Sequence, residues 1–134
     1  MVVGPVDWTP DFSVGDDRLD ADHKTMISII NRLIAAHSAG AASEALWGIF
    51  DELENYTRRH FAREEARLAK TQYPFLDGHK AEHERFSSQV SELAERYRAN
   101  PDPDTATELI RLLYEWLLIH IKEHDQQYAP YLRK

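Results

Sequence analysis

His23, His60, His79, His83 and His120 each interrupt a row of apolar residues at the point where a helical core would carry leucine. His60 and Glu64 are spaced i, i+4, as are His79 and His83, so each pair stacks on one helix face about one turn apart. Two ligands from one helix can then reach one site. Imidazole nitrogen and carboxylate oxygen suit iron and also accept zinc or manganese, so the pattern selects a donor set more firmly than a metal. The chain has no cysteine, which excludes disulfides, thiolate nucleophiles, iron–sulfur clusters and cysteine-ligated zinc, and leaves histidine and carboxylate to bind any metal. Burying several imidazoles and a carboxylate without partners costs roughly 1–3 kcal/mol for each group, and coordination would satisfy them together.

Four helices must position these residues. Apolar residues Met26, Ile29, Ile30, Leu33 and Ile34 predict a first helix from Asp20 to about His37, and Ser38-Ala39-Gly40 breaks it. Ser43 is the expected N-cap of a second helix carrying Leu46, Ile49, Leu53, Tyr56, His60 and Glu64, which runs to about Lys70. Tyr73-Pro74 interrupts, because the residue before proline is pushed out of the helical region. A third helix starts near Asp77 and presents His79, His83, Phe86, Val90, Leu93 and Tyr97 before ending by Asn100. Pro101 and Pro103 mark a loop. Thr105 with Glu108 forms a capping-box signature ahead of Leu109, Leu113, Trp116, Leu117 and His120, on a fourth helix expected to reach about Gln126. The expected fold is all-α: an antiparallel up-down-up-down four-helix bundle with an N-terminal arm. One domain spans 1–134, with the arm over 1–19 and the bundle over 20–134. Trp8 and Phe12 suggest that the arm packs on the bundle.

In such a bundle the start of one helix lies beside the end of its neighbour. His23 is near the start of the first helix, His60 and Glu64 toward the end of the second, His79 and His83 at the start of the third and His120 toward the end of the fourth. All six fall at one end. A bundle core built from inward side chains on facing helices is where carboxylate-bridged two-metal sites are placed. On the fourth helix, His124 lies at i+4 from His120 and Asp125 at i+5; spacing favours His124, whereas the chemistry of a second bridging carboxylate favours Asp125, and periodicity does not choose between them. His37 sits at the far end of the first helix, where a cation suits the helix dipole, and is read as a surface residue.

Composition narrows the classes further. The 134 residues carry 16 Lys+Arg against 23 Asp+Glu, a formal charge of −7, which opposes broad attraction to nucleic acid or anionic lipid. No secretory signal pattern opens the chain and no apolar stretch approaches a membrane span, so the expected location is cytoplasmic, with neither nucleic acid nor membrane as a partner.

From Trp8 to Tyr128 the sequence resembles the hemerythrin family, specifically its single-domain bacterial members. The resemblance rests on Trp8, Phe12, Val14-Gly15, Asp20 and His23-Lys24; on His60-Phe61 with Glu64-Glu65; on His79 and His83; and on Trp116-Leu117, His120-Ile121 and Asp125. It implies two iron ions as cofactor. His79, His83 and His120 would hold one and His23 and His60 the other, with Glu64 and Asp125 bridging both beside a solvent-derived oxo or hydroxo group. Asp125 is thereby preferred to His124. Five imidazoles and two carboxylates leave one iron with an open position, and the family's use of that position is reversible O2 binding for storage, delivery or sensing, without enzymatic turnover. Met26, Phe61, Trp116 and Leu117, adjacent to the ligand turns, are the expected O2 pocket, which must be dry and apolar.

The sequence departs from the family at Asp22, where glutamine is common, and at Met26, where leucine or phenylalanine is common. Asp16, Asp17, Asp20 and Asp22 are read as acids favouring the helix dipole rather than as an iron entry. Other functions of the same site are a di-iron oxidase or peroxidase, an iron or redox stress protein, or a bundle that binds metal only for stability. Against turnover, the ligand rows hold no spare acid or base beyond Glu65, whose i+5 offset from His60 points it away. Besides O2, an oxygen-consuming enzyme or a signalling protein is the expected kind of partner.

Overall fold

The computed structural model describes residues 5–132; residues 1–4 of the expected arm and 133–134 of the expected bundle lie outside the described residues. Four long helices follow one another: α1 (Asp17–Ser38), α2 (Ser43–Thr71), α3 (Leu76–Ala99) and α4 (Pro103–Ile119), with a short α5 (Ala129–Leu132) at the end. Each long helix packs on the next and α4 closes against α1, which makes the antiparallel four-helix bundle. No strand occurs among the described residues. None of the described helices is long and apolar enough to cross a membrane.

Helix starts depend on which polar side chain takes the free N–H groups. The Asp16 side chain accepts from the Leu19 N–H at 3.0 Å, so α1 begins three residues before the apolar row requires. Ser43 does not cap α2; it is the first helical residue, and Ala42 occupies the cap position with no side-chain bond. Asp102 rather than Thr105 caps α4, accepting from the Asp104 N–H at 3.0 Å, and Pro103 takes the first helical position, where its missing N–H costs nothing. At the other end of α2, the exposed Gln72 adopts the left-handed conformation, φ 61°, that turns the chain toward Tyr73-Pro74.

The arm packs along the bundle. Phe12 and Val14 are buried, the Asn31 side chain bonds both the N–H and the carbonyl of Val6, and Lys24 lies 4.4 Å over the Trp8 ring. Asp20 accepts from Ser13 Oγ and the Val14 N–H, fixing the entry into α1.

The buried residues form two apolar layers. The larger is built from all four long helices and contains Met26, Ile30, Leu53, Phe61, Phe86, Leu117 and Ile121; the smaller contains Val14, Leu19, Leu68, Tyr73, Tyr128 and Ala129. His23 lies one turn after Leu19 and one before Met26, and Glu64 lies between Phe61 and Leu68. The polar row is thus sealed between apolar layers. Among the described residues the buried polar ones are Asp22, His23, Thr57, His60, Glu64, His79, His83, His120 and Asp125.

Beyond Ile119 the backbone departs from the expected regular helix. His120–His124 form a π turn, in which the Asp125 N–H bonds the His120 carbonyl, and Asp125–Gln127 tighten into a 3₁₀ turn. One extra residue per turn brings the residue at i+5 round to the face of His120.

Candidate metal centre

All seven residues expected as ligands converge at one end of the bundle, each no more than 6% exposed. Their donor atoms fall into two groups, one of Glu64, His79, His83 and His120 and one of His23, His60, Glu64 and Asp125. Glu64 divides its oxygens between them. Oε1 lies 2.5 Å from His79 Nε2 and 3.2 Å from His83 Nε2, whereas Oε2 lies 3.1 Å from His60 Nε2 and 3.8 Å from His23 Nε2. Asp125 does the same: Oδ1 is 2.9 Å from His120 Nε2 and 3.4 Å from His79 Nε2, and Oδ2 is 3.3 Å from His23 Nε2. The π turn makes this possible. His124, favoured by spacing alone, is rotated outward and meets Glu82 at 2.7 Å instead.

Whether these residues fit a metal can be tested on their own polar atoms. Both Asp125 oxygens and His23 Nδ1 are buried without a hydrogen bond, since the nearby imidazole nitrogens lie out of alignment with Asp125. Each such atom costs roughly 1–3 kcal/mol. The Nε2 atoms of His23 and His60 face each other at 3.1 Å, as do those of His83 and His120, so at most one of each pair can carry the proton between them. Lone pairs converging on two points, with a carboxylate oxygen from each of two residues directed at both, are the donor set of a carboxylate-bridged metal pair.

Outer partners fix the rings. His60 Nδ1–H donates to Asp22 Oδ2 at 2.9 Å and His83 Nδ1–H to Glu65 Oε2 at 2.7 Å, while Glu82 Oε2 lies 3.4 Å from His120 Nδ1. A carboxylate behind an imidazole sets its tautomer and raises its basicity as a ligand. The reading of Asp22 as an acid that favours the helix dipole is therefore corrected. It is fully buried and accepts from Tyr56 Oη at 2.7 Å and from Arg63 Nε and Nη2 at 2.9 and 2.8 Å as well. Glu65, expected to point away, does leave the inner cluster but reaches across to α3. Tyr128, which the spacing did not single out, is fully buried and donates to Glu64 Oε2 at 2.8 Å. The signal available for it was its position one turn beyond Asp125.

Among the expected pocket residues, Phe61 stacks face to face on His83 with ring centroids 3.7 Å apart, and the partly buried Trp116 stacks on His120 at 4.2 Å and on Phe86 at 3.9 Å. Met26 and Leu117 lie in the larger apolar layer, one turn from His23 and His120, and Met26 sulfur meets Thr57 Oγ1 at 3.6 Å. His37 is partly buried and pairs with Thr107 Oγ1 on α4 at 3.1 Å, so it joins two helices far from the cluster.

Charge accounts for the protonation of the metal-free cluster. Burial alone would push His23 down, but the Asp125 and Glu64 carboxylates close beside it reverse this and lift it to about 9. His60 and His79 are raised against the same burial by Asp22 and Glu64 and by Glu64, respectively. Burial would raise Glu64, yet His23, His60 and His79 hold it well below the usual carboxylate range. Burial, reinforced by the Asp125 and Glu64 charges, pushes the Tyr128 phenol well up, so it remains a donor.

A pH dependence follows. A histidine with a raised folded value contributes stability that is complete below its ordinary value of 6.5 and is lost as pH rises through about 9. The depressed carboxylates contribute stability that is present above their ordinary range and is lost as pH falls below it. Metal-free chain is therefore expected to melt highest between about pH 5 and 6.5 and at falling temperature toward pH 9. Metal affinity should climb over the same upper range, because metal displaces the protons. A melting temperature flat from pH 6 to 9 would contradict the assigned interactions.

The Hemerythrin HHE cation binding domain model matches residues 14–132. The chain is similar to a bacteriohemerythrin of Stenotrophomonas maltophilia, 35% identical over 126 residues covering 94% of this chain and 80% of that protein. A bacteriohemerythrin of Pseudomonas aeruginosa is 36% identical with the same coverage. Among solved structures, wild-type hemerythrin superposes with TM-score 0.85 at 28% identity over 96% of this chain and 98% of that one. A leucine-to-tyrosine hemerythrin variant gives 0.86 at 26% identity over 98% and 100%. With its helical order, its inward histidines and a family match across nearly all of its length, this chain belongs to the hemerythrin family.

Proposed function

We propose that the chain binds O2 reversibly at a pair of irons held by His23, His60, Glu64, His79, His83, His120 and Asp125, and that it stores, delivers or senses the gas without turning it over. The observation that carries this reading is the division of Glu64 and Asp125 oxygens between a group of three histidines and a group of two. With both carboxylates shared, the two-histidine side has one donor fewer, which leaves room there for a small ligand. Bound in this place, an iron pair would supply reversible two-electron chemistry toward O2.

The chain's own residues would protect that chemistry. Phe61 and Trp116 cover His83 and His120 with aromatic faces, and Met26, Leu117 and Ile121 bury the inner side, so water and stray protons are kept from the donors. Asp22 and Glu65 hold protons at the Nδ1 atoms of His60 and His83, keeping each Nε2 lone pair directed inward. Tyr128 orients Glu64 through one oxygen. Glu65 is engaged by His83, which leaves it poorly suited as a free acid for oxidase or peroxidase turnover. The location we infer is cytoplasmic, with an oxygen-consuming enzyme or a signalling protein as partner, and neither nucleic acid nor membrane.

Anaerobic loading with ferrous iron is expected to give two irons per chain and a visible charge-transfer band that appears with O2 and fades on its removal. Irreversible oxidation on the first exposure, or sustained consumption of reductant, would replace reversible binding with redox turnover. A chain that binds no iron would overturn the reading altogether.

A further inference from the structure

Every donor of the inner cluster is nearly sealed, His79 being the most accessible at 6%. An incoming cation finds none of them on the surface. One further group of potential ligands, Glu82, His120 and His124, differs in that two of its members face solvent: the His124 side chain is 39% exposed and the Glu82 side chain 33%. His124 Nδ1 and His120 Nδ1 lie 2.7 and 3.4 Å from the same Glu82 oxygen, Oε2, and the three donor atoms lie within 4.8 Å of one another. Bonds of roughly 2.1 Å in a tetrahedral ion place donors about 3.4 Å apart, so small side-chain rotations suffice to admit one. Two elements build the group, α3 supplying Glu82 and the π turn supplying both histidines. His120 belongs to both clusters, with Nε2 turned inward and Nδ1 outward.

We infer that Glu82, His124 and the outer nitrogen of His120 form a separate binding site for a first-row divalent cation, through which metal passes on its way to the inner cluster. Two nitrogens and an oxygen with open positions to water suit Fe2+, Co2+ or Zn2+, and the acidic chain draws cations toward it. The simpler reading, a His124–Glu82 hydrogen bond, explains that pair but not the presence of a third donor that reaches both surface and interior. A competing route lies over His83 and Glu65, where a groove between α2 and α3 is lined by Phe61 and Arg58. It offers one imidazole and two carboxylates, Glu65 and Glu84, which form no three-donor group among the described residues, and the Arg58 cation beside them repels a metal ion. The irregular backbone from His120 to Gln127 also makes the Glu82 side the place where the wall of the bundle is least regular.

The role as an entry site rests on the inner cluster being the metal's destination; the surface site itself does not. Rapid mixing of metal-free chain with Co2+ under anaerobic conditions separates the two. Wild type is expected to show an early low-coordinate cobalt spectrum that converts to the inner-site spectrum, ending at two cobalts per chain. In His124→Gln, which spares the carboxylate behind His120, the early phase disappears and filling slows roughly tenfold, the final count remaining two. The Glu82→Gln/His124→Gln variant should lose the early phase as well, and in addition bind the inner metal more weakly because the carboxylate behind His120 is gone. Absence of that phase from wild type, or unchanged kinetics in both variants, overturns the inference. If wild type never reaches two cobalts but shows an early phase that the variants lack, the inner-cluster reading fails while the surface site stands.

Discussion

Glu64→Gln is expected to reduce iron loading from two ions to at most one per chain and to abolish any reversible O2 band. Glu64 is common to both donor groups, so its loss is felt on both sides, whereas loss of any one histidine removes a donor from one. Glutamine has nearly the same shape but carries no charge, and one of its two terminal atoms is an NH2 nitrogen that can only donate. Whichever way the amide turns, its NH2 faces imidazole nitrogens now 2.5–3.2 Å from Oε1 or 3.1–3.8 Å from Oε2. A bridging ligand has become a blocked one. The metal-free protein should report the same change independently. Glu64 is a cause of the raised state of His23, His60 and His79, so the variant should lose less stability between pH 6.5 and 9 than wild type does. Iron per chain and paired melting curves measure both effects. A variant that loads two irons and shows the wild-type O2 spectrum would remove Glu64 from the centre.

The convergence of His23, His60, Glu64, His79, His83 and His120 was legible in the chain because two regularities agree: the helical period puts each on an inward row, and antiparallel packing puts all of them at one level. Asp125 was not legible from period. A regular helix carries His124 to the face of His120, and only the i→i+5 turn brings Asp125 there; no residue type between His120 and Asp125 announces that turn. Resemblance to the family supplied Asp125, and the backbone supplies its physical reason. Helix starts were ambiguous for a related cause. Thr105 with Glu108 and Asp102 with Pro103 are both good caps within three residues of each other, and local sequence does not rank them. Asp22 was misread because an acid in a helix's first turns has an adequate local explanation. Its burial is decided by Tyr56, His60 and Arg63, which reach it from a different helix more than thirty residues away.

Asp22 therefore gives a large and specific expected loss. Asp22→Ala takes the shared acceptor from Tyr56, His60 and Arg63 at once. Breaking a buried ion pair costs about 3–5 kcal/mol. Arg63, at 31% side-chain exposure, can turn toward water and recover part of that, but His60 Nδ1 stays buried without a partner. The net expectation is a loss of about 2–3 kcal/mol, or roughly 10 °C in melting temperature. Asp22→Asn keeps the volume and isolates the charge. Burial would raise the Asp22 carboxyl, but His60, Arg63 and Tyr56 hold it far below its ordinary value of 3.8. Its contribution is thus complete above that value and is lost as pH falls below it. The stability gap between wild type and Asp22→Asn should be widest between about pH 5 and 6.5, narrow toward pH 3 as the carboxyl takes a proton, and narrow again above pH 6.5, where His60, raised in part by Asp22, loses its proton. A merely structural contact would leave the gap independent of pH. Since His60 would lose the carboxylate that fixes its tautomer, Asp22→Asn should also weaken metal binding by about 10- to 100-fold while Tyr56→Phe, which leaves the His60 and Arg63 bonds in place, weakens it less. Equal affinities for all three proteins, together with parallel acid melts, would show that Asp22 neither positions His60 nor carries its charge into the stability of the fold.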